Sequence, residues 1–462
     1  MQLAKLTCIN LMLIVVVANL PISASARVLE AALGIEARVN EFVGMPSFYQ
    51  SIDALDLAYG THAQAADQAW SGSYWPFYLG SIASPYAVKG FDDIDFLKNL
   101  TFYKRRIAEL KRNYDTLSTE TIDQLSPSEK YDLYLADSNF SLTSAIWKSL
   151  SAHQQQVGEV ASWEGSCHGW APASAFVKRP AHLIQMESLD GKYKIPFYPD
   201  DVKALTTLLW ANSSIQNETL LEGERCHTDD PNKDINTGRV TDLSCMGVNP
   251  GVWHLSIVGL IGAQKKSFVM NRANGTQIWN QPIVNYSFTY FNPVSKVPGD
   301  LKSSLAALNL ARDDLHAFRS REARYFVGVE MSVVYTSESV ATHMQKDSDA
   351  WDNLVSIDFT YELELDASRR IVGGEWAWYK DMPSSYPGFI WRFESLNPLA
   401  STPLDGLTPE PFSAEYTSSH LIPLSVRAAR LNAREPEKPQ PLAKVVRYLN
   451  ELAASPEASP SP

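Results

Sequence analysis

The cysteine in "WEGSCHGWAPASA" (163–175) has the neighbours of a nucleophile. Thiols attack as thiolates, and a thiol ionises where a helix N-terminus or a cation faces it. Gly165 and Gly169 flank Cys167, and Pro172 is placed for the first turn of a helix running to about Lys178. The unpaired amides of such a helix start also suit an oxyanion. A base must come from elsewhere in the chain. His254 lies in "GVWHLSIVGLIG" (251–262), a β-branched, apolar run bounded by glycines, which reads as a strand. Alternation puts Val252, His254, Ser256 and Val258 on one face, and a strand fixes an imidazole better than a loop does. His168 would point away from Cys167 on a helix. A third group should orient the imidazole and fix its tautomer. Asn280 in "IWNQPI" offers an amide oxygen for that purpose, with Asp300, Asp358 and Asp366 as alternatives. Trp163, Trp170, Trp253 and Trp279 adjoin these positions and would wall a channel that keeps water from an acyl intermediate. The rival reading, an inert buried thiol and a core histidine, needs no chemistry at all.

The compartment decides how the cysteines are read. Lys5, an apolar run from Leu6 to Leu20, Pro21 and the small residues Ala24-Ser25-Ala26 form a secretory signal pattern over 1–26. No other stretch reads as a membrane span. Cys8 leaves with the signal, so Cys167, Cys226 and Cys245 remain. Cys226 and Cys245 flank a polar loop, and closing it contributes roughly 3 kcal/mol in chain entropy. That pairing leaves Cys167 as a lone thiol in an oxidising environment. Sequons at Asn99, Asn139, Asn212, Asn217, Asn274 and Asn285 predict glycosylated, solvent-facing loops. The net charge of -12, with no basic cluster, argues against nucleic acid as a partner. The composition, 45% hydrophobic and 11% aromatic, suits a folded body with a substantial core.

Helical spacing predicts helices over 101–117, from Ser126-Pro127 onward, over 198–214 and over 300–318. Strand patterns dominate after Cys245, with Asn274-Gly275 as one turn and Ala367-Ser368-Arg369 joining two later strands. Helices first and an antiparallel sheet second predict an α+β fold. Cysteine first and histidine later on a strand is the chain order of papain-like thiol enzymes, so a distant papain-like enzyme is expected, its helical N-terminal half packed on that sheet. The chain divides into the signal (1–26), a helical leader or pro-segment (27–65), a catalytic domain (66–400) and a Pro-rich, largely disordered tail (401–462).

The stretches "IWNQPIVNYSFTY" (278–290), "SGSYWPFYLGSIA" (71–83), "LSPSEKYDLYLAD" (125–137), "WEGSCHGWAPASA" and "GGEWAW" (373–378) resemble the transglutaminase elicitor family of plant-pathogenic oomycetes. The resemblance implies a secreted protein-glutamine gamma-glutamyltransferase, extracellular or in the cell wall, and a role as an elicitor of plant defence. It implies Cys167 as nucleophile with His254 as partner, protein substrates bearing glutamine and lysine (cell-wall or host proteins), and calcium dependence. The chemistry itself requires no cofactor, and no metal-ligand spacing is evident; "FDDIDF" (91–96) and "DSDAWD" (347–352) are the acidic runs on offer. Trp279 and Pro282 fall in the family's elicitor epitope, where Val284 and Asn285 replace its basic residue and glycine. A secreted cysteine protease and a non-catalytic wall-binding or host-binding protein are the competing functions.

Overall fold

The computed structural model describes residues 35–45, 51–88, 92–213, 219–309, 313, 318–377, 385–395, 439 and 441–454. The signal (1–26) and the sequon at Asn217 lie outside the described residues. Two hydrophobic clusters organise the chain. The first belongs to the helices Phe96–Arg112, Thr119–Asp123, Pro127–Tyr134, Ser141–Val157, Cys167–Phe176 and Pro199–Asn212, around Trp147, Trp170 and Trp210. Their starts follow from local chemistry. Asp95 accepts from the Leu97 N–H, and Ser126 and Glu129 form a reciprocal capping box with Pro127 in the first turn. The Asp201 carboxylate reaches back to the Tyr198 N–H. It also pairs with Lys130 at 2.6 Å, both side chains fully buried, which ties two of these helices together.

The second cluster belongs to a ten-stranded antiparallel sheet. Its strands are β1 (His62–Gln64), β4 (Thr219–Gly223), β5 (Val269–Asn271), β6 (Asn280–Phe291), β7 (Pro298–Gly299), β8 (Ala306–Ala307), β9 (Tyr325–Thr336), β10 (Leu354–Leu365), β11 (Ile371–Trp376) and β12 (Phe389–Phe393). The main path runs β11-β10-β9-β6-β5-β12-β4, with β1 and β7 on β6 and β8 on β9. A separate hairpin pairs β2 (Ile184–Glu187) with β3 (Lys194–Phe197). The expected turns are in place: β5 pairs with β6 across the Asn274-Gly275 loop, and β10 with β11 across Ala367–Arg369. The molecule is α+β, with helices early in the chain and the antiparallel sheet later.

Several expectations need correction. Residues 251–262 are not a strand. Asn249 caps, and Pro250 opens, a helix over Pro250–Ile257 that continues as a π-helix over Val258–Ala263. Leu243–Ala263 is long and apolar enough to cross a membrane, but 83% of its most apolar window is buried in the fold. Among the described residues of 300–318, Leu301–Ser304 is helical, and Ala306 and Ala307 leave the helix to pair with Phe326 and Tyr325. The segment read as a leader holds helices Ile35–Val43 and Ile52–Tyr59, whose Val39, Phe42, Ile52 and Leu55 are buried in the sheet's cluster. Arg392 on β12 donates to the Phe42 and Glu41 carbonyls. Residues 401–438 lie outside the described residues, but part of the tail is ordered. Ala443–Ala454 is a helix whose Val445, Val446, Leu449 and Ala453 fall on one buried face. Its Asn450 amide donates to Thr206.

The sequons do not all face solvent. Asn139 is exposed, whereas Asn99 is 2% exposed on the Phe96–Arg112 helix. The Asn99 amide nitrogen donates to the Tyr78 and Asp93 carbonyls at 2.8 and 2.6 Å. Asn212 is half-buried and donates to the Pro439 carbonyl, and Asn274 and Asn285 are half-buried. Glycopeptide mapping of protein exported from a eukaryotic host is therefore expected to find Asn99 unmodified. A glycan on Asn99 in folded material would contradict the burial described here.

Candidate active site

Cys167 is the first residue of its helix, 6% exposed. Gly169 is there for packing, since a Cβ would run into the Thr207 carbonyl of the Pro199–Asn212 helix. Pro172 falls in the second turn, not the first. The chain approaches the thiol through Tyr74, whose carbonyl accepts from the Ser166 N–H at 2.6 Å.

Asn280, the first residue of β6, meets the thiol directly. Its Nδ2 donates to Cys167 Sγ at 3.4 Å, while Trp391 Nε1 on β12 donates to its Oδ1 at 2.8 Å. The Ile278 carbonyl is 4.0 Å from the sulfur. Burial pushes the thiol's pKa up. The backbone and side-chain N–H groups of Asn280 pull it down, the Glu338 charge raises it, and the His168 N–H lowers it. The net displacement is upward, so the resting group is a shielded thiol among N–H donors.

His254 is elsewhere. Its Nδ1 lies 2.8 Å from the Tyr361 hydroxyl, and its ring packs at 4.9 Å against Phe288. Phe288 is eight residues along β6 from Asn280, about 26 Å of strand at 3.3 Å per residue. The expected contacts of His254 with Cys167 and with Asn280 are thus absent, because His254 sits on a helix buried in the sheet's own cluster. Asn280 orients no imidazole; both ends of its amide are taken by Trp391 and Cys167. Asp300 instead caps the Leu301–Ser304 helix, and Asp366 accepts from Ser368 and Arg370 in the β10–β11 turn.

His254 has consequences for stability. Burial pushes its pKa down to about 3 from 6.5. The unfolded chain therefore binds the proton more readily than the native one. The contribution is complete above 6.5 and declines as pH falls toward 3, with a slope of up to about 1.4 kcal/mol per pH unit. His254→Gln, which does not titrate, is expected to flatten the fall of Tm between pH 6.5 and 4. An unchanged pH slope would contradict the buried, neutral imidazole.

The four tryptophans separate. Trp170 and Trp253 are core residues, one in each cluster. Trp163 and Trp279 are half-buried near the thiol. Trp279 packs against Tyr74 at 5.8 Å, and Arg225 lies over Trp163. Pro282 is buried on β6, opposite Val269. Cys226 and Cys245 form a disulfide, and their loop reaches the site. Arg225 donates twice to the Thr276 carbonyl, and Asp229 accepts from the Thr276 N–H and hydroxyl at 2.8 Å each, just ahead of Asn280.

The acidic runs do not fit a calcium site. Asp347 pairs with Arg179 and Lys203, Asp352 with Arg179, and Asp93 with Lys98. Sequence reasoning missed Tyr74, Glu338 and Trp391. Tyr74 sits in a stretch that carries the family resemblance, but nothing in the local sequence marks the other two.

The transglutaminase elicitor family model matches residues 42–405. The fold is similar to that in the crystal structure of the GP42 transglutaminase from Phytophthora sojae, with a TM-score of 0.55 and 17% identity, over 91% of this chain and 97% of that one. No curated protein sequence matches. A family match over that much of the chain, together with a thiol held at a helix start by the first residues of β6, leads to one conclusion: the chain belongs to the transglutaminase elicitor family.

Proposed function

We propose that this protein is a secreted transglutaminase that joins protein glutamine to lysine through a thioester on Cys167. The observation that carries the reading is the Asn280 amide on the Cys167 sulfur in a member of this family. The sulfur attacks the γ-carboxamide of glutamine, the C–N bond breaks, and the thiol's proton leaves on ammonia. A lysine amine then attacks the thioester, and Cys167 departs as thiolate and regains a proton. Asn280 Nδ2 and the backbone N–H groups of Asn280 and His168 surround the point where the carbonyl oxygen becomes negative. They are the donors of an oxyanion hole.

A thiol opening a helix against strand β6 supports a papain-like layout. His254 takes no part in it and is a structural residue of the sheet's core. The half-buried rings of Tyr74, Trp163 and Trp279 favour aminolysis over hydrolysis by limiting water at the sulfur. The disulfide fits an extracellular protein. An elicitor role rests on family membership, with Trp279 half-buried beside the site and Pro282 buried.

The test is incorporation of a labelled primary amine into a glutamine-bearing protein, with a peptide-cleavage assay alongside. Incorporation without cleavage is expected. Cleavage without incorporation would make the protein a thiol protease, and neither would make it a binding protein.

A further inference from the structure

We propose that Glu338 is the carboxylate that docks the ammonium group of the amine substrate and takes its proton. The proposal rests on the acyl-transfer reading of Cys167.

Glu338 follows the last residues of β9. β6 and β9 pair as Ile283 with Tyr335. Past Thr336 the chain leaves the ladder beside the end of β6 that starts with Asn280, the residue on the thiol. The Glu338 carboxylate meets the residue that follows Asn280. Gln281 Nε2 donates to Glu338 Oε1 at 2.8 Å, and Ser337 Oγ donates to Oε2 at 2.9 Å. The next residue, Ser339, donates its N–H to the Gly72 carbonyl, two residues before Tyr74. The carboxylate is half-buried and held by neutral donors only, with no ion pair among the described residues.

The charge reaches both neighbours. Glu338 opposes ionisation of Cys167 and of Tyr74. A carboxylate held beside a nucleophile without a cation works against the thiolate. The arrangement makes chemical sense when the substrate brings the cation. The second substrate of this reaction is a primary amine, an ammonium ion at neutral pH and inert until it loses a proton. Glu338 accepts that proton, giving a neutral amine and a carboxylic acid. The nitrogen lone pair forms the C–N bond, the C–S bond breaks, and its electron pair goes to sulfur. The second nitrogen proton restores the Cys167 thiol, and Glu338 releases its own to solvent.

Glu338→Gln keeps an oxygen for Gln281 and a polar partner for Ser337, and removes only the charge. The experiment follows two products from one glutamine-bearing protein: ammonia released without amine, and incorporated dansylcadaverine. The ratio of incorporation to hydrolysis is expected to fall about tenfold or more, the usual effect of losing a charged hydrogen-bond partner. Hydroxylamine, a neutral nucleophile, should lose much less. The pH midpoint for alkylation of Cys167 should move down, which a merely structural role would not produce. Glu338→Asp should recover part of the ratio. An unchanged ratio in Glu338→Gln overturns the proposal whatever the alkylation profile does. A wild-type protein that releases no ammonia overturns the acyl-transfer reading itself, and this assignment with it.

Discussion

Cys167→Ala is expected to reduce amine incorporation to background while leaving the fold in place. Loss of the nucleophile in covalent enzymes costs on the order of 10⁶ in kcat. Among the described residues no other thiol can substitute, since Cys226 and Cys245 are joined. Structure should survive because the side chain is small and the groups that meet its sulfur are the N–H donors of Asn280 and His168. Incorporation assays with circular dichroism as a fold control decide the matter. Near-normal turnover in Cys167→Ala would remove the thiol from the mechanism.

Asn280→Ala should be the next most damaging change. It removes the side-chain donor at the sulfur and leaves Trp391 Nε1 without its acceptor. Losing one oxyanion donor costs about 10²–10³ in kcat, with little change in KM for the glutamine substrate. Asn280→Asp separates the two functions, because a carboxylate still accepts from Trp391 but donates nothing to the sulfur. It should be as inactive as Asn280→Ala and more stable to heat. Equal kcat in wild type and Asn280→Asp would show that the amide donor is irrelevant to turnover.

How far the sequence went depends on which interactions are local. The Ser126-Pro127-x-Glu129 helix start is a short-range device, and it folds as its residues suggest. The turn residues at Asn274-Gly275 and Ala367–Arg369 likewise join antiparallel strands. Cys167 was legible because a thiol among small residues at a helix start is chemically unusual. The run around His254 misled because its β-branched, apolar residues suit a buried strand and a buried helix equally. Asn249 and Pro250, a cap and a first-turn proline, carried the deciding signal. Once that segment is helical, His254 turns into the sheet's cluster and its partnership with Cys167 disappears. Asn280 was found through "WNQP", yet its partners were misassigned, since Trp391 reaches it from a strand 111 residues later. Glu338 was invisible for the same reason: only the β6–β9 register brings it near the thiol.

The most direct test of the central claim is to trap the acyl-enzyme. The protein is incubated with a glutamine-bearing peptide without added amine, quenched in acid and digested, and the peptide carrying Cys167 is weighed by mass spectrometry. That peptide is expected to be heavier by the mass of the substrate less ammonia, with the adduct discharged by a primary amine or hydroxylamine. Ammonia release and amine incorporation with no adduct on Cys167, or an adduct on another residue, would contradict the central claim.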